Sequence, residues 1–368
     1  MSKTNVSCGI VGLPNVGKST LFQALTKKQV SAENYPFCTI DPNLGIVEVI
    51  DERLDTLAVL SKSQKIVYAT VAFVDIAGLV KGASKGEGLG NKFLTNIRET
   101  DAIIHVVRCF ENEEIIHVEG KIDPIHDIEI INLELILSDL ELAENAYRKI
   151  EKQAKAKKEF AVSASFLQKA IEHLNKEKPI RSLQTLTEEE EKCLKIYTFL
   201  TAKKVLYVAN VQESDLPTLE ENKFVQAVTK YAENENSLVI PLCAKLESEI
   251  AQFDKAEAKE FLNTLGLKES GLDKLIRAAF SLLDLVTYLT TGEMETKAWT
   301  ITKRTPAAEA AGKIHSDLEK GFIRAEVISF DEFVKYHGRV GAKEAGRARS
   351  EGKEYVVQDG DVILFFHN

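Results

Sequence analysis

The sequence predicts an α/β protein with a mostly parallel sheet, interrupted by an antiparallel helical hairpin and followed by a small α+β domain. Three observations carry this. Short apolar runs alternate with helical patterns through the first 110 residues and resume after residue 200. A stretch from about residue 133 to 199 is rich in Glu, Lys, Leu and Ala and nearly free of Gly. The last 80-odd residues read strand, strand, helix, strand, strand.

In the first block, residues 6–11, 44–49, 67–75 and 102–107 read as strands, and 18–26 and the segment near 91–99 as helices. Residues 205–210 and 238–242 continue the strand pattern. Alternating β and α units place helices on both faces of a parallel sheet. Between these blocks, Leu133, Leu137, Leu140, Ala143, Tyr147, Ile150 and Ala154 recur at three- or four-residue steps, the spacing of an apolar stripe on a long helix. Phe166, Ala170, Ile171 and Leu174 suit a second helix returning antiparallel to it. After an apolar helix at 272–283, strands 285–290 and 297–301 flank Thr291-Gly292-Glu293, a hairpin signal. Residues 307–314 read as a helix, and 323–328 and 362–366 as strands, the latter after the turn Asp359-Gly360. The domains expected are therefore 1–132 with 200–280, an insertion at 133–199, and 281–368.

At 368 residues, two or three domains are expected. Hydrophobic residues at 44% and charged residues at 28% fit a globular chain. No run approaches the roughly 18 apolar residues that span a bilayer, and the first residues lack an apolar leader, so a cytoplasmic protein with no membrane partner is expected. The formal charge of −9 gives no long-range attraction to nucleic acid, so any RNA contact needs a local basic patch. Cys8, Cys38, Cys109, Cys193 and Cys243 are isolated and form no C-x-x-C pair, which argues against a disulfide framework or a zinc site.

Gly12-Leu-Pro-Asn15-Val16-Gly17-Lys18-Ser19 fits G-x-x-x-x-G-K-[ST] between a predicted strand and a predicted helix. Glycines let successive backbone N–H groups point at phosphate oxygens, helped by the helix N-terminus. Lys18 should reach the β- and γ-phosphates, and the Ser19 hydroxyl should ligate Mg²⁺. Asp75 ends a strand and opens Asp75-Ile-Ala-Gly78; its carboxylate would hold Mg²⁺ through water while the Gly78 N–H senses the γ-phosphate. Thr39, in Tyr-Pro-Phe-Cys-Thr39, suits a loop that closes over the metal. The glycine-dense run 81–90 reads as a switch loop.

A guanine site normally carries N-K-x-D, and that motif is absent. Asn210-Val211-Gln212-Glu213 stands at its place: Glu is one methylene longer than Asp, and Val replaces Lys. Guanine should lose its advantage, leaving adenine as the expected base. Cys243-Ala244-Lys245, after the next strand, would supply a second base-contacting loop. Leu79 follows Gly78, where small GTPases carry a water-orienting Gln, so another group must position water. His105 lies inside an apolar strand and reads as a core residue. His117 follows that strand's carboxyl end and is the candidate catalyst beside Lys18 and Gly78. Asn15 could help hold K⁺ at the phosphates, supplying charge where an arginine finger is missing.

These residues resemble the YchF family, the Obg-like ATPases among the translation-factor-related GTPases. The resemblance covers essentially the whole chain: residues 12–20, the run Asn34-Tyr-Pro-Phe-Cys-Thr-Ile-Asp-Pro42, the run from Asp75 to Gly90, Asn210–Glu213, and Gly352-Lys-Glu-Tyr-Val-Val-Gln-Asp-Gly-Asp361. It implies an Obg-type G domain, an inserted coiled-coil pair and a C-terminal TGS domain of the β-grasp type. It also implies slow hydrolysis of ATP in preference to GTP, with Mg²⁺, and binding to the ribosome, its large subunit, ribosomal RNA and proteins. Carried over by motif, Asn15, Val16, Gly17, Lys18, Ser19 and Thr20 contact phosphates, Ser19 and Thr39 bind Mg²⁺, and Val211 lies against the base.

Arg148, Lys149, Lys152, Lys155, Lys157 and Lys158 lie near the tip of the helical insertion, and Arg339, Lys343, Arg347 and Arg349 form a second basic cluster. On helices such runs are commonly solvated faces; a basic tip could also meet RNA phosphates. DNA is not an expected partner, and a monomer is expected. Two further readings stay open: a regulatory switch whose ATP occupancy carries the signal, and a GTPase of ribosome assembly.

Overall fold

The computed structural model describes residues 6–29, 43–77, 89–112, 122–154 and 158–368. The chain divides into two compact units, Met1–Gly45 with Ala72–Leu275, and Ile46–Val71 with Ile276–Asn368.

The strands are β1 (Ser7–Val11), β2 (Leu44–Val49), β3 (Lys65–Val67), β4 (Ala69–Asp75), β5 (Ala102–Arg108), β6 (Lys204–Asn210), β7 (Leu238–Leu242), β8 (Leu285–Thr291), β9 (Glu295–Thr302), β10 (Phe322–Ser329), β11 (Arg349–Glu351) and β12 (Asp361–His367). The first sheet has the order β2-β4-β1-β5-β6-β7. Its neighbours β4-β1, β1-β5, β5-β6 and β6-β7 are all parallel. Parallel strands are covered on both faces and therefore read as continuous apolar runs. All seven residues of β5 are buried, His105 among them, as its apolar setting predicted.

The long helix Pro124–Ala154 and its partner Lys158–Leu174 form the hairpin. Ile136, Ala143, Phe166, Leu167, Ala170 and Leu174 make its core, with Leu140, Tyr147 and Ile150 packed alongside and Cys193 of the helix Glu188–Tyr197 closing it. The expected stripe holds from Leu140 to Ile150 and fails before Leu140, while the side chain of Ala154 lies outside the described residues. Leu133 and Leu137 are 42% and 39% exposed, while Ile128, Ile131 and Leu135 are buried. The helix begins at Pro124, and its first half packs on β5 and the helix Lys223–Glu233, turning a different face inward.

Buried polar groups fasten the insertion to the sheet. The Asp139 carboxylate accepts from the Leu200 N–H (2.8 Å), the Thr201 N–H (2.7 Å) and the Thr201 hydroxyl (2.7 Å). Arg181 meets Glu235 through two bonds of 3.0 and 3.1 Å, and the hydroxyl of Tyr207 on β6 donates to the same carboxylate at 2.9 Å.

The second unit carries the sheet β11-β10-β12-β8-β9-β3. The pair β12-β8 is parallel, and β8-β9, β10-β12 and β10-β11 are antiparallel, the β-grasp arrangement. The helix Ala307–Gly312 packs its Ala307, Ala310 and Ala311 against Tyr288, Ile301, Val327 and Ile363. Tyr288 donates to the Ala310 carbonyl at 2.9 Å. The helix Glu52–Ser61, capped by Asp51, belongs to this unit through Arg53, which pairs with Asp51 (2.8 Å) and Asp359 (2.9 Å). Gly360 has φ 82°, and a Cβ there would lie 2.6 Å from the Arg53 guanidinium, so this turn requires glycine. Among the described residues, no helix is long and apolar enough to cross a membrane.

Candidate nucleotide site

The carboxyl ends of β1, β4, β5, β6 and β7 point to one edge of the first sheet, where ligand crevices of parallel α/β folds lie. The P-loop leaves β1 there and enters the helix Lys18–Lys27. Asn15 and Gly17 take left-handed backbone conformations, with φ 63° and 95°. A Cβ on Gly17 would lie 2.2 Å from the Asn210 amide nitrogen, and one on Gly12 would lie 2.8 Å from the Val106 carbonyl oxygen. Both glycines are thus required by close approach, and the curled backbone makes a cradle suited to phosphate.

Lys18, at the first helical position, donates to the carboxylate of Asp75 at the end of β4. Ser19 is exposed beside it, and Thr20 is half-buried. The structure therefore brings together Lys18 and Asp75, 57 residues apart in sequence, with Ser19 next to Lys18 in the chain. A hydroxyl and a carboxylate are hard oxygen donors. Mg²⁺ commonly takes one or two such protein ligands and completes its shell with substrate phosphates and water, so the set fits that ion.

Next to the cradle is a cavity of about 610 Å³. Asn15, Gly17 and Thr20 line it from the P-loop, Val211 and Glu213 from the segment after β6, and Cys243, Ala244 and Lys245 from the segment after β7. Cys243 precedes the helix Ala244–Ile250, and Val211, Cys243 and Ala244 are buried, while Glu213 is exposed at the rim. Asn210 lines the cavity as expected, but its amide also serves the protein itself: Nδ2 donates to the Val16 carbonyl at 2.8 Å and Oδ1 accepts from the Ala244 N–H at 2.9 Å. It ties the P-loop to the segment after β7, a role that the sequence did not disclose.

Phe110 and Asn112 form a further wall that sequence reading missed. They follow β5 in a stretch whose carbonyls are taken by side chains. Asn222 donates to Cys109 O (3.2 Å), Arg108 to Phe110 O (3.2 Å) and Asn112 O (3.1 Å), and Gln212 to Glu111 O (2.6 Å). The one signal was Arg108, a charged residue ending an otherwise apolar strand. Burial lowers the basicity of Arg108, and the carboxylate of Asp127 partly restores it. Burial likewise pushes the Cys109 thiol up to about 12 and raises that of Cys243, leaving both as inert thiols. Thr39, Gly78 and His117 lie outside the described residues, as do Cys38 and Leu79.

The two basic clusters differ. In the second unit, Arg339 and Lys343 both pair with the buried Glu326 (3.0 and 2.9 Å), Arg347 with Glu332 (3.6 Å), and Arg349 with Glu351 and Asp361 (3.7 and 3.8 Å). These charges are matched within the protein. In the hairpin, Arg148 pairs with Glu144 at 3.1 Å, and Lys149 and Lys152 are exposed; Lys155 and Lys157, with the side chain of Lys158, lie outside the described residues.

The family model for 50S ribosome-binding GTPases matches residues 7–146. The model for the YchF GTPase C-terminal region, described as a protein of unknown function, matches residues 285–368. The ribosome-binding ATPase YchF of Escherichia coli O157:H7 is 54% identical over 366 residues, covering 98% of this chain and 99% of that protein. The ribosome-binding ATPase YchF of Bacillus subtilis (strain 168) is 55% identical over 364 residues, covering 99% of both. The solved structure of the Schizosaccharomyces pombe YchF GTPase superposes with a TM-score of 0.88 at 38% identity, covering 100% of this chain and 99% of that one. Identity of 54% and 55% across nearly the whole of both bacterial relatives, with the match to the solved fold, places the chain in the YchF family.

Proposed function

We propose that the protein binds ATP in preference to GTP, hydrolyses it slowly with Mg²⁺, and couples its nucleotide state to the ribosome. The observation that carries the base reading is the cavity wall. Val211, Ala244 and Phe110 present apolar surface, while Glu213 stands exposed at the rim where a guanine site places its buried Asp. Apolar walls accept any purine face, and no short carboxylate rewards the guanine edge.

In this reading the P-loop N–H groups hold the phosphate oxygens, and Lys18 exchanges its bond to Asp75 for the β- and γ-phosphates. Ser19, Thr39 and Asp75 would hold Mg²⁺, which when bound neutralises charge on the transferring phosphate. The Gly78 N–H senses the γ-phosphate, His117 orients the attacking water in place of the absent Gln, and Asn15 helps hold K⁺. Val16, Gly17 and Thr20 complete the phosphate contacts, with Gly12 giving the turn its room. Asn210, Cys243 and Ala244 shape the base side.

The proposed domains are the G domain 1–132 with 200–280, the coiled-coil insertion 133–199, and the TGS domain 281–368. The protein acts in the cytoplasm as a monomer, and the ribosome is its partner through the large subunit, ribosomal RNA and proteins. The relatives' name, ribosome-binding ATPase, supports this. The exposed Lys149 and Lys152 support a contact through the hairpin.

Equilibrium binding of Mg·ATP and Mg·GTP tests the base reading. Tighter ATP binding supports it, and tighter GTP binding would mean that Glu213 replaces the missing Asp. Ribosome pelleting with and without ATP tests the partner. A rise in kcat on adding ribosomes supports coupled turnover; altered ribosome affinity at constant kcat supports a switch read by occupancy.

A further inference from the structure

Arg108 is 1% exposed at the end of a strand whose other residues are apolar or, for His105, kept uncharged by burial. Burying a guanidinium is costly unless its N–H groups find acceptors. Here Nε donates to Phe110 O at 3.2 Å and a terminal nitrogen donates to Asn112 O at 3.1 Å. The guanidinium carbon lies 4.7 Å from the centroid of the Phe110 ring. Arg108 is also in register with Asn210 on β6, and the next residue, Cys109, donates its N–H to Asn210 O at 2.8 Å. One side chain thus bridges two carbonyls of the segment 109–112 and supports the ring of Phe110, a residue that lines the cavity.

We infer that Arg108 is a positioning residue for nucleoside recognition, holding the segment after β5 so that Phe110 and Asn112 form the base-side wall. The inference rests on the proposal that the cavity takes the base. A lysine has the charge but lacks the planar fork that reaches two carbonyls at once, so the role is specific to arginine. Buried in the first turn of the helix Pro124–Ala154, Asp127 offsets part of the cost of the charge and so favours retaining it there.

The test compares Mg·ATP with Mg·tripolyphosphate, which fills the phosphate cradle and leaves the base cavity empty, by calorimetric titration of the full chain. Arg108→Lys should weaken ATP about tenfold, the loss of one charge-assisted hydrogen bond, and move tripolyphosphate less than about twofold. In a Phe110→Ala background the same substitution should lose most of its effect on ATP, because the wall that it supports is gone. Arg108→Gln, neutral and smaller, carries the same comparison if the lysine variant fails to fold. Equal losses for both ligands, or full additivity with Phe110→Ala, would overturn the inference by making Arg108 a general support. If the unaltered protein bound ATP no tighter than tripolyphosphate, the base-cavity reading would fall first, an outcome separate from either result on Arg108.

Discussion

Asn210 donates its side-chain amide to the carbonyl oxygen of Val16 across 2.8 Å, joining the end of β6 to the phosphate loop that follows β1. Its oxygen is occupied as well, by the Ala244 N–H at 2.9 Å. The amide is buried and satisfied at both ends, so the P-loop and the segment after β7 hold their geometry together.

Asn210→Ala should therefore weaken ATP and GTP alike and leave the choice between them unchanged. Two buried backbone groups lose their partners, each costing about 1–3 kcal/mol, so an affinity loss of tenfold or more is expected. Fluorescence titration with both nucleotides measures it. A loss confined to one base would assign Asn210 to base reading instead.

Lys18→Ala should reduce turnover to below about 1% by removing the charge aimed at the phosphates, with Asp75 left unpaired. Ser19→Ala should leave Mg²⁺-free nucleotide binding in place and weaken the Mg²⁺-dependent increment. Titrations with and without EDTA separate the two.

His117→Ala should lower kcat at least tenfold with little change in ATP affinity, as expected when a residue acts on the attacking water and makes no ground-state contact. Single-turnover hydrolysis beside a binding titration checks this. An unchanged kcat would remove His117 from the mechanism.

Stability should fall in mild acid through His105. Burial, with the nearby Arg181 charge, lowers its folded pKa from 6.5 to about 3. The unfolded chain binds the proton first, so this contribution is complete above pH 6.5 and lost as the pH falls from there toward 3. The loss reaches about 2 kcal/mol by pH 5. Urea unfolding at pH 7 and pH 5 measures it, and His105→Phe should remove that share of the fall.

Glu235→Ala should destabilise the protein by about 3–5 kcal/mol, because it strands the Arg181 guanidinium, whose side chain is 6% exposed. The pair Arg181→Met with Glu235→Leu should recover much of the loss. Denaturant midpoints of the unaltered protein and the two variants decide it.

Much of the fold was legible because its signals are local. Residues 44–49 and 238–242 form β2 and β7 at the expected bounds, and the P-loop helix starts at Lys18 as its motif demands. Strand alternation and glycine placement act over a few residues, so they survive without knowledge of the partners. The stripe on the long helix was legible only where one helix packs on another. At Leu133 and Leu137 the same spacing faces outward, because β5 and the helix Lys223–Glu233 take the opposite side. Periodicity records that a face is buried and cannot say which neighbour buries it.

The chain's own order of residues made the P-loop legible. Gly12, Gly17, Lys18 and Ser19 are consecutive enough for the strand-turn-helix to place them, and the replacement of N-K-x-D was plain at Asn210–Glu213. Tertiary structure alone added Phe110 and Asn112 to the cavity wall on which the sequence had already placed Val211 and Ala244. Phe110, Asn112, Val211 and Ala244 come from three separate crossings of the sheet, and their meeting depends on strand order and on bonds such as Asn210–Val16 and Arg108–Phe110. Covalent neighbours constrain one another through backbone geometry, whereas a cavity wall exists only once distant strands pair and their buried polar groups find each other.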